Sequence, residues 1–379
     1  MLKAYKTEIN PTDEQKIKIS RTIGVCRFVY NLYLGKEKEQ YEQKGKFLSA
    51  FDFSKYLNNE YFLIHPEHIW VKDVSSKAVK QSIVNGEKAF KKFFVGLSGY
   101  PRFKTKKDSV KAYFPKNSKT DFYVERHKIK VPTIGWLRLK EFGYIPIGAD
   151  VSSCTLSKEA DKYFISVLCK VELDKQSVVL TDIGVGVDLG IKTFIATSDG
   201  KEFKNINKTS KIKKFEKKLK REQRSLSRKK KKDKTKSSTN RKKNILRIQI
   251  LHRRLKNIRK EYIRSVVNSL VKNSPKFITI EDLNVRGMLK NRHLSKAIQQ
   301  QEFYYFRIFL IQQCKKFGIE VRVIDRWYPS SKLCRKCGNI KSDLKLSDRI
   351  YICECGHKED RDLNASINIR DCQTYNVAQ

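Results

Sequence analysis

The sequence has few acidic residues for its length and no long apolar run. Its 379 residues include 40 Asp and Glu against 82 Lys and Arg, which gives a formal net charge of +42. No apolar stretch of about twenty residues occurs, and no signal-like apolar segment follows Met1, which argues against a membrane protein. We therefore expect a soluble, cytoplasmic protein with no membrane partner.

The cysteines do not form a disulfide framework. There are nine, an odd number. Five of them are scattered without pattern: Cys26, Cys154, Cys169, Cys314 and Cys372. This usage fits a reducing compartment.

The excess of positive charge is larger than solubility requires. Its natural counterpart is a polyanion, whose condensed counterions are released when the protein binds. Nucleic acid is the leading partner, and a basic protein of the membrane surface is the competing interpretation. A chain of this length can form two or three domains, each with its own core.

Four further cysteines lie in two close pairs near the C-terminus. They are Cys334, Cys337, Cys353 and Cys355. Four thiolates so paired can surround one Zn²⁺ ion tetrahedrally, which predicts a zinc ribbon over residues 327–358. The second pair, C-x-C, is one residue shorter than the usual C-x-x-C, so His357 is an alternative to Cys355 as the fourth ligand. Four buried thiols that bind no metal are a poorer interpretation, because their neighbours are charged residues and glycines.

The first half of the chain predicts helices inserted into a β-domain. Residues 1–10 predict a strand, and residues 11–94 contain helical apolar spacing after a helix start at Thr12. Short alternating runs up to residue 173 predict a small antiparallel barrel. The basic and aromatic segment around Arg27 fits either a core face or a nucleic-acid contact. Residues 174–182 are expected to be a linker.

The second half predicts a mixed α/β sheet with acidic residues at strand ends. Asp188 ends an apolar strand that begins near Ile183, and Gly190 precedes a returning strand. Glu281 ends a second apolar strand, a helix is expected from about Ser295 to Phe317, and residues 319–324 form a third strand. A strand aspartate followed by an antiparallel partner is how an RNase H-type sheet begins, although a lone strand aspartate is more often a capping or surface residue.

The region between these strands is the most basic part of the chain. Two helical stripes of apolar residues over 203–272 predict a helical hairpin. Its tip, residues 228–240, contains no apolar residue. We expect the tip to be mobile without RNA and to contact phosphates, the alternative being a solvated charged loop.

A third acid lies at the start of the last helix. Asp362 is the preferred candidate, and Asp360 is the alternative, more suited to capping. Carboxylates at close range repel one another unless cations neutralise them, and Mg²⁺ favours such oxygens. Two ions of this kind support phosphodiester hydrolysis. Arg361 or Arg326 could steady the phosphate.

The ordered motifs resemble the TnpB family of transposon-encoded, RNA-guided nucleases, which is similar to compact type V CRISPR effectors. The resemblance is carried by GVDLG at 186–190, IEDLN at 280–284, YPSSKLC at 328–334 with CG at 337–338, and DRDLNA at 360–365. It extends to NPT at 10–12, GVCRFVYN at 24–31 and GYPRFK at 99–104, and so covers nearly the whole chain.

The resemblance implies an α+β multidomain fold. It implies a wedge-type β-barrel (1–10 and 95–173) with a helical recognition insert (11–94). It also implies a RuvC-like nuclease (183–326 and 359–379), which contains the basic hairpin and a zinc-ribbon insert (327–358). Asp188, Glu281 and Asp362 would be the catalytic acids and Mg²⁺ ligands, and the four paired cysteines the Zn²⁺ ligands.

The implied activity is cleavage of double-stranded DNA that matches a guide RNA derived from the transposon end, beside a short transposon-associated motif. Such a bacterial protein would join the nucleoid when it binds DNA. Candidate nucleic-acid contacts are Arg27, Arg102, Lys104, Lys229, Lys230, Lys231 and Lys232.

Three other functions compete with a guided nuclease. A guided DNA binder or repressor would not need all three acids. A transposase would need a nucleophilic tyrosine or histidine arrangement, and none is recognisable in the sequence. A basic RNA scaffold would account for the charge but not for the acids.

Overall fold

A computed structural model describes residues 2–107, 111–116, 118, 120–171, 179–229, 238–345 and 348–378. The chain divides into two compact units, Met1–Leu173 and Asp174–Gln379, called here the N-terminal and C-terminal units. Of the linker predicted at 174–182, residues 174–178 lie outside the described residues. Among the helices that the structure describes, none has the length and apolar character to cross a membrane.

The N-terminal unit combines a sheet with a group of helices. Its strands are β1 (Leu2–Asn10), β2 (Lys111–Pro115), β3 (Tyr123–Val124), β4 (Lys128–Val131), β5 (Gly135–Leu139), β6 (Asp150–Glu159) and β7 (Lys162–Lys170). Its α-helices are α1 (Asp13–Lys44), α2 (Ala50–Tyr56), α3 (Phe62–Ile64) and α4 (Ser76–Phe94). A π-helical turn (Leu57–Tyr61) precedes α3, and a 3₁₀ helix (Pro66–Asp73) follows it.

Helix α1 is one continuous helix whose start is well specified. The Thr12 hydroxyl accepts the Gln15 N–H, while the Gln15 side chain accepts the Thr12 N–H, so both ends of a capping box are present. Gly45 ends the helix in the left-handed conformation, with φ of 61°. Together α1, α2 and α4 enclose a core that includes the fully buried Tyr33 and Phe53.

The N-terminal sheet is antiparallel and has seven strands in the order β2-β6-β7-β1-β5-β4-β3. Its two outer strands share one core, since Phe114 of β2 and Val124 of β3 belong to the same apolar cluster. The predicted barrel is nevertheless not closed by hydrogen bonds among the described residues, where β2 and β3 remain edges. With only two residues, β3 has few backbone groups left for a second partner.

The C-terminal unit alternates strands and helices. Its strands are β8 (Val185–Leu189), β9 (Thr193–Thr197), β10 (Glu202–Lys204), β11 (Phe277–Glu281), β12 (Glu320–Ile324), β13 (Ile350–Ile352), β14 (Lys358–Asp360) and β15 (Tyr375–Val377). Its α-helices are α5 (Ser210–Arg228), α6 (Thr239–Lys272), α7 (Val285–Met288), α8 (Ser295–Gln301), α9 (Phe303–Phe317) and α10 (Arg361–Asp371). A 3₁₀ turn (Ile206–Lys208) precedes α5.

Six of these strands form a mixed sheet in the order β10-β9-β8-β11-β12-β15, with β8, β11 and β12 parallel. Successive residues of a strand point to opposite faces. Val187 and Ile280 therefore pack with α6 and α9 in the main core, while α10 lies against the other face. The sheet is covered by helices on both sides.

The structure corrects one expected helix. The sequence predicted a single helix from about Ser295 to Phe317, but the chain breaks at Glu302, whose φ is 50°. The break allows the buried Gln301 side chain to donate to the carbonyl oxygens of Gly190 and Ile191, at 3.2 and 3.3 Å. It also places Phe303 and Phe306 in the main core.

The approach of α10 to β8 depends on a glycine. A Cβ atom at Gly186 would lie 2.0 Å from the carbonyl oxygen of Ser366 and 2.5 Å from the backbone nitrogen of Arg370. Both obstructing atoms belong to the backbone of α10, so they cannot move aside as a flexible side chain could. Any side chain at this position must push the helix off the sheet.

We expect Gly186→Ala to lower the free energy of unfolding of the C-terminal unit by about 1–3 kcal/mol, the usual cost of overpacking. Hydrogen exchange followed by mass spectrometry should show faster exchange in β8 and α10. The control is Gly24→Ala in α1, where a Cβ would have no neighbour within 4 Å and alanine is the better helix former. Unchanged exchange in Gly186→Ala would contradict the close-packing argument.

Candidate active site and cysteine cluster

Two of the predicted acids lie at the same end of adjacent parallel strands. Val187 of β8 is level with Ile280 of β11, and the next residue of each strand is acidic. Because Val187 and Ile280 face the core of α6 and α9, Asp188 and Glu281 face the opposite side, which carries α10. The sheet therefore brings together two side chains that are 93 residues apart in sequence.

The third acid comes from the first turn of α10. Asp360 is the N-cap of this helix, and its carboxylate accepts the backbone N–H groups of Asp362 and Leu363 at 2.9 and 3.0 Å. Asp362 makes no such capping bond and lines a cavity with Asp188 and Glu281. The structure thus gives the two aspartates different positions, with Asp360 at the helix cap and Asp362 at the cavity.

The cavity has a volume of about 550 Å³ and combines acids with cations. Its acidic lining residues are Asp188, Glu281 and Asp362. Its basic lining residues are Lys192, Lys208, Arg349 and Arg361. The sequence singled out Arg361 among these cations, but not the other three, which are unremarkable in so basic a chain.

Burial and mutual repulsion act on the carboxyl groups. Burial raises the pKa of Asp188 to about 8, and the charges of Glu281 and Asp362 add to the effect, while Arg361 opposes it. Burial also raises the pKa of Glu281, partly offset by a hydrogen bond from Ser330. Without a cation, Asp188 therefore keeps its proton at neutral pH, whereas an exposed aspartic acid releases it.

Ser330 and two asparagines fix the acids relative to one another. The Ser330 hydroxyl donates to Glu281 Oε1 at 2.5 Å. From α10, Asn368 Nδ2 donates to the carbonyl oxygens of Ser330 and Leu333 at 2.8 and 2.7 Å, and Asn364 Nδ2 donates to Leu333 at 2.8 Å. We call these contacts the amide clamp. Their role is not visible in the sequence, although Ser330, Leu333 and Asn364 lie within the motifs at 328–334 and 360–365.

Both candidates for a phosphate contact have partners within the protein. Arg326 pairs with Asp282 outside the cavity, and Arg361 Nη1 donates to the carbonyl oxygens of Lys345 and Asp348 at 3.4 Å. The Asp282 carboxylate accepts hydrogen bonds from Arg307 and Arg326, each at 2.6 Å. Both lower the pKa of Asp282 from its usual value, and the hydrogen bond from Arg307 has the larger effect. Arg326 is absent from the cavity lining, whereas Arg361 belongs to it. Of the two arginines that the sequence suggested, the cavity contains Arg361.

The four paired cysteines lie in sequence between β12 and α10, and their side chains come together in the structure. All four sulfur atoms lie within 4.8 Å of one another. The Cys334–Cys355 and Cys337–Cys353 pairs are 3.7 and 3.6 Å apart. Tetrahedral zinc with sulfur at 2.3 Å requires sulfur atoms about 3.8 Å apart, so the cluster fits a structural zinc ion.

His357 stands outside this cluster. Its Nε2 atom lies 3.4 Å from Glu359 Oε2, and Glu359 also accepts two hydrogen bonds from Arg335 at 2.6 and 2.7 Å. The Cys355 sulfur occupies the fourth corner. The structure therefore favours four cysteines over three cysteines and a histidine.

The predicted nucleic-acid contacts of the N-terminal unit are only partly brought together. Arg27 and Lys104 line one cavity of about 540 Å³, together with Lys88 and Lys111. Arg102 is exposed and does not line it. The Lys104 backbone N–H donates to Asn31 Oδ1 at 2.8 Å, and Lys104 Nζ lies 3.6 Å from the centre of the Tyr30 ring. These contacts fix Lys104 at the cavity wall.

The C-terminal unit has a second basic surface, a groove along α5. Its lining residues are Lys214, Lys217, Lys218, Lys220, Arg221, Arg224 and Arg228. Most recur at intervals of three or four, so they share one helix face. The nearby Lys229 Nζ donates to the Asn240 carbonyl oxygen at 3.4 Å. Lys230, Lys231 and Lys232, with most of the predicted mobile tip, lie outside the described residues.

The raised pKa of Asp188 predicts a pH-dependent stability. The folded chain retains the proton up to about pH 8, whereas the unfolded chain releases it near pH 4, so this contribution is complete below pH 4 and lost as the pH rises through 8. In Mg²⁺-free buffer, the melting temperature should fall from pH 5 to pH 9. Asp188→Asn should flatten this slope in calorimetry, and an unchanged slope would contradict the burial of Asp188.

The cysteine cluster predicts which residue holds zinc. Cys355→Ser should abolish stoichiometric zinc, because it removes one corner of the tetrahedron. His357→Ala should retain one zinc per chain. Metal analysis of the purified variants by atomic emission measures both. The reverse pattern would assign the fourth ligand to His357.

Comparison with known families gives three matching models, which cover different parts of the chain. They are described as "Probable transposase" (residues 166–292), "Cas12f1-like, TNB domain" (303–369) and "Helix-turn-helix domain" (1–46). In the structure, the last range contains β1 and the uninterrupted helix α1.

Relatives match along nearly the whole chain. A protein of Streptomyces pristinaespiralis named "Putative RNA-guided DNA endonuclease" is 32% identical over 97% of this chain and 88% of its own length. "Putative RNA-guided DNA endonuclease InsQ" of Escherichia coli is 30% identical over 97% and 91%. A solved mini-RNA-guided endonuclease, CRISPR-Cas phi3, covers 97% of this chain and 92% of its own, with 12% identity and a TM-score of 0.48. The motifs, the family models and the end-to-end relatives together establish that this chain belongs to the TnpB family.

Proposed function

We propose that the protein is an RNA-guided DNA endonuclease that hydrolyses phosphodiester bonds at the cavity of Asp188, Glu281 and Asp362. The convergence of these three carboxylates on one cavity is the observation that carries the proposal. The names of the end-to-end relatives support the guided activity and the DNA substrate.

The three acids would hold Mg²⁺. Their donor set suits the ion, since carboxylate oxygens are its preferred protein ligands. A nearby cation would offset the burial and the mutual repulsion that together raise the pKa of Asp188. Bound Mg²⁺ supplies activation of the attacking water and stabilisation of the leaving oxygen. Ser330 would keep Glu281 oriented through its hydrogen bond to Oε1.

The cations of the same cavity would orient the substrate. Arg361 neighbours Asp362 in sequence and lines the cavity beside it. A guanidinium can bind two phosphate oxygens at once, which fixes the direction of the scissile group. Lys192, Lys208 and Arg349 add positive charge around the acids, which would draw in a polyanion and hold it after the acids have bound their metal.

Guide RNA and target DNA would bind through their backbones, because base pairing in such a complex reads the sequence. The cavity of Arg27 and Lys104 and the groove along α5 are the two surfaces suited to this contact. In the proposed organisation, residues 1–10 and 95–173 form the wedge domain and 11–94 the recognition insert. Residues 183–326 and 359–379 form the RuvC-like nuclease around the zinc ribbon at 327–358.

The test begins with the protein expressed together with the DNA that flanks its gene. The small RNA that copurifies is sequenced, and a plasmid carrying the matching target is incubated with the complex and Mg²⁺. We expect cleavage that requires the RNA. Asp188→Asn should reduce the rate by more than about 100-fold while RNA binding is kept, because the substitution preserves the size of the side chain.

Two matched variants assign the acids. Asp362→Asn should abolish cleavage, whereas Asp360→Asn should retain it, because asparagine caps a helix as well as aspartate does. Asp199→Asn serves as a control, since Asp199 pairs with Lys201 outside the cavity. Loss of cleavage in Asp360→Asn but not in Asp362→Asn would reverse the assignment.

The remaining outcomes separate the competing functions. Specific RNA binding without cleavage by the wild-type protein would favour a guided DNA binder. Cleavage without RNA would point to an unguided nuclease. No specific RNA and no cleavage would leave a basic scaffold and overturn the proposal.

A further inference from the structure

The N-terminal unit contains a second group of metal-ligating side chains, remote in sequence from the cysteine cluster and of different chemistry. His65 follows α3, and Pro66 begins the 3₁₀ helix Pro66–Asp73. In a 3₁₀ helix, residues three apart eclipse one another, so His68 returns to the side of His65. The backbone N–H of His68 donates to the backbone carbonyl oxygen of His65 at 3.1 Å, which fixes this turn.

Glu67 completes the group. One ligand atom from each of His65, Glu67 and His68 lies within 4.8 Å of the other two. Glu67 Oε1 is 3.1 Å from His65 Nδ1 and 3.9 Å from His68 Nδ1. Ligands about 2.0–2.1 Å from a tetrahedral ion are about 3.3 Å apart, so small side-chain rotations would bring all three atoms onto one ion.

Aromatic neighbours hold both imidazole rings. The His68 and Tyr61 rings are stacked, with ring centres 5.7 Å apart and an interplanar angle of 3°. The Phe28 ring centre lies 4.8 Å from that of His68. The His65 ring centre is 4.6 Å from that of Tyr61. These contacts restrict the rings to small rotations, which reduces the freedom that they lose when a ligand binds and favours affinity. Glu67 remains open to solvent, with 61% of its side chain exposed, and provides access for the ion.

Tyr61 also supplies a competing contact. Its hydroxyl lies 2.8 Å from His68 Nδ1, within hydrogen-bond distance. When that nitrogen is the acceptor, its lone pair is not available to a metal. Removing the hydroxyl while keeping the ring would free the nitrogen and leave the stacking unchanged.

We propose that His65, Glu67 and His68 form a binding site for a divalent transition-metal ion of the zinc, nickel and copper class. Two imidazoles and one carboxylate suit these ions, whereas Mg²⁺ and Ca²⁺ favour all-oxygen sites. Water would complete the coordination, since three protein ligands leave at least one position open. The ion would cross-link the end of α3 to the following 3₁₀ helix.

The test uses the full chain without a histidine tag, its cysteine cluster loaded with zinc and excess Mg²⁺ present to occupy the three acids of the C-terminal unit, titrated with Ni²⁺ by calorimetry. We expect one Ni²⁺ per chain. Glu67→Gln and His68→Gln should each weaken binding at least about tenfold, because loss of a metal ligand costs no less than loss of an outer-shell partner, which costs about 10–100-fold. Tyr61→Phe should bind more tightly than wild type, a response that a merely structural histidine pair would not give.

Controls distinguish this site from single surface histidines. His252→Gln and His293→Gln remove exposed histidines of the C-terminal unit and should leave the titration unchanged. Circular dichroism of each variant verifies folding, and His65→Gln offers a substitution at a more exposed ring. A wild-type protein that binds no Ni²⁺, or equal binding in Glu67→Gln and wild type, would overturn the proposal.

Discussion

The amide clamp between α10 and residues 330–333 is the constraint on which the C-terminal unit depends. Asn364 and Asn368 donate to the carbonyl groups of Ser330 and Leu333, and both asparagines are almost fully buried. These carbonyl groups lie outside regular strands and helices and would otherwise lack backbone partners. Ser330 extends the connection to Glu281, and Leu333 precedes the first cysteine of the cluster. One set of hydrogen bonds thus links an acid, the acidic helix and the cysteine cluster.

The charge of the chain and the charge of the site have opposite signs. With 82 basic and 40 acidic residues, most of the protein favours a polyanion. The cavity instead concentrates three carboxylates, and burial makes their mutual repulsion stronger than it would be in water. A site that is unfavourable without a cation, in a chain that favours polyanions, is consistent with the proposed metal and the proposed substrate.

The sequence predicted the parts of the site that depend on local pattern. Apolar strands that end in Asp188 and Glu281 are visible without a structure, and parallel pairing brings them together. The capping role of Asp360 follows from its place before a helical segment. The paired cysteines likewise predict a metal site, although the choice between Cys355 and His357 required the positions of the side chains.

Long-range contacts account for what the sequence could not predict. The break at Glu302 accompanies a hydrogen bond from the Gln301 side chain to the carbonyl oxygen of Gly190, more than a hundred residues earlier, and local sequence does not reveal that contact. Ser330 acquires its role only because the fold places it beside Glu281. The predicted barrel stays open among the described residues, where the outer strands β2 and β3 pair with one strand each.

Asp360 belongs to two elements at once, as the last residue of β14 and the N-cap of α10. No connecting loop separates the cysteine-bearing hairpin from the helix that carries Asp362. The junction therefore contains no linker residues, and the first turn of α10 follows directly from the last residue of the hairpin. The cysteine-bearing hairpin and the helix turn that carries Asp362 are thus joined through one residue, so the position of the hairpin constrains the position of a carboxylate in the cavity.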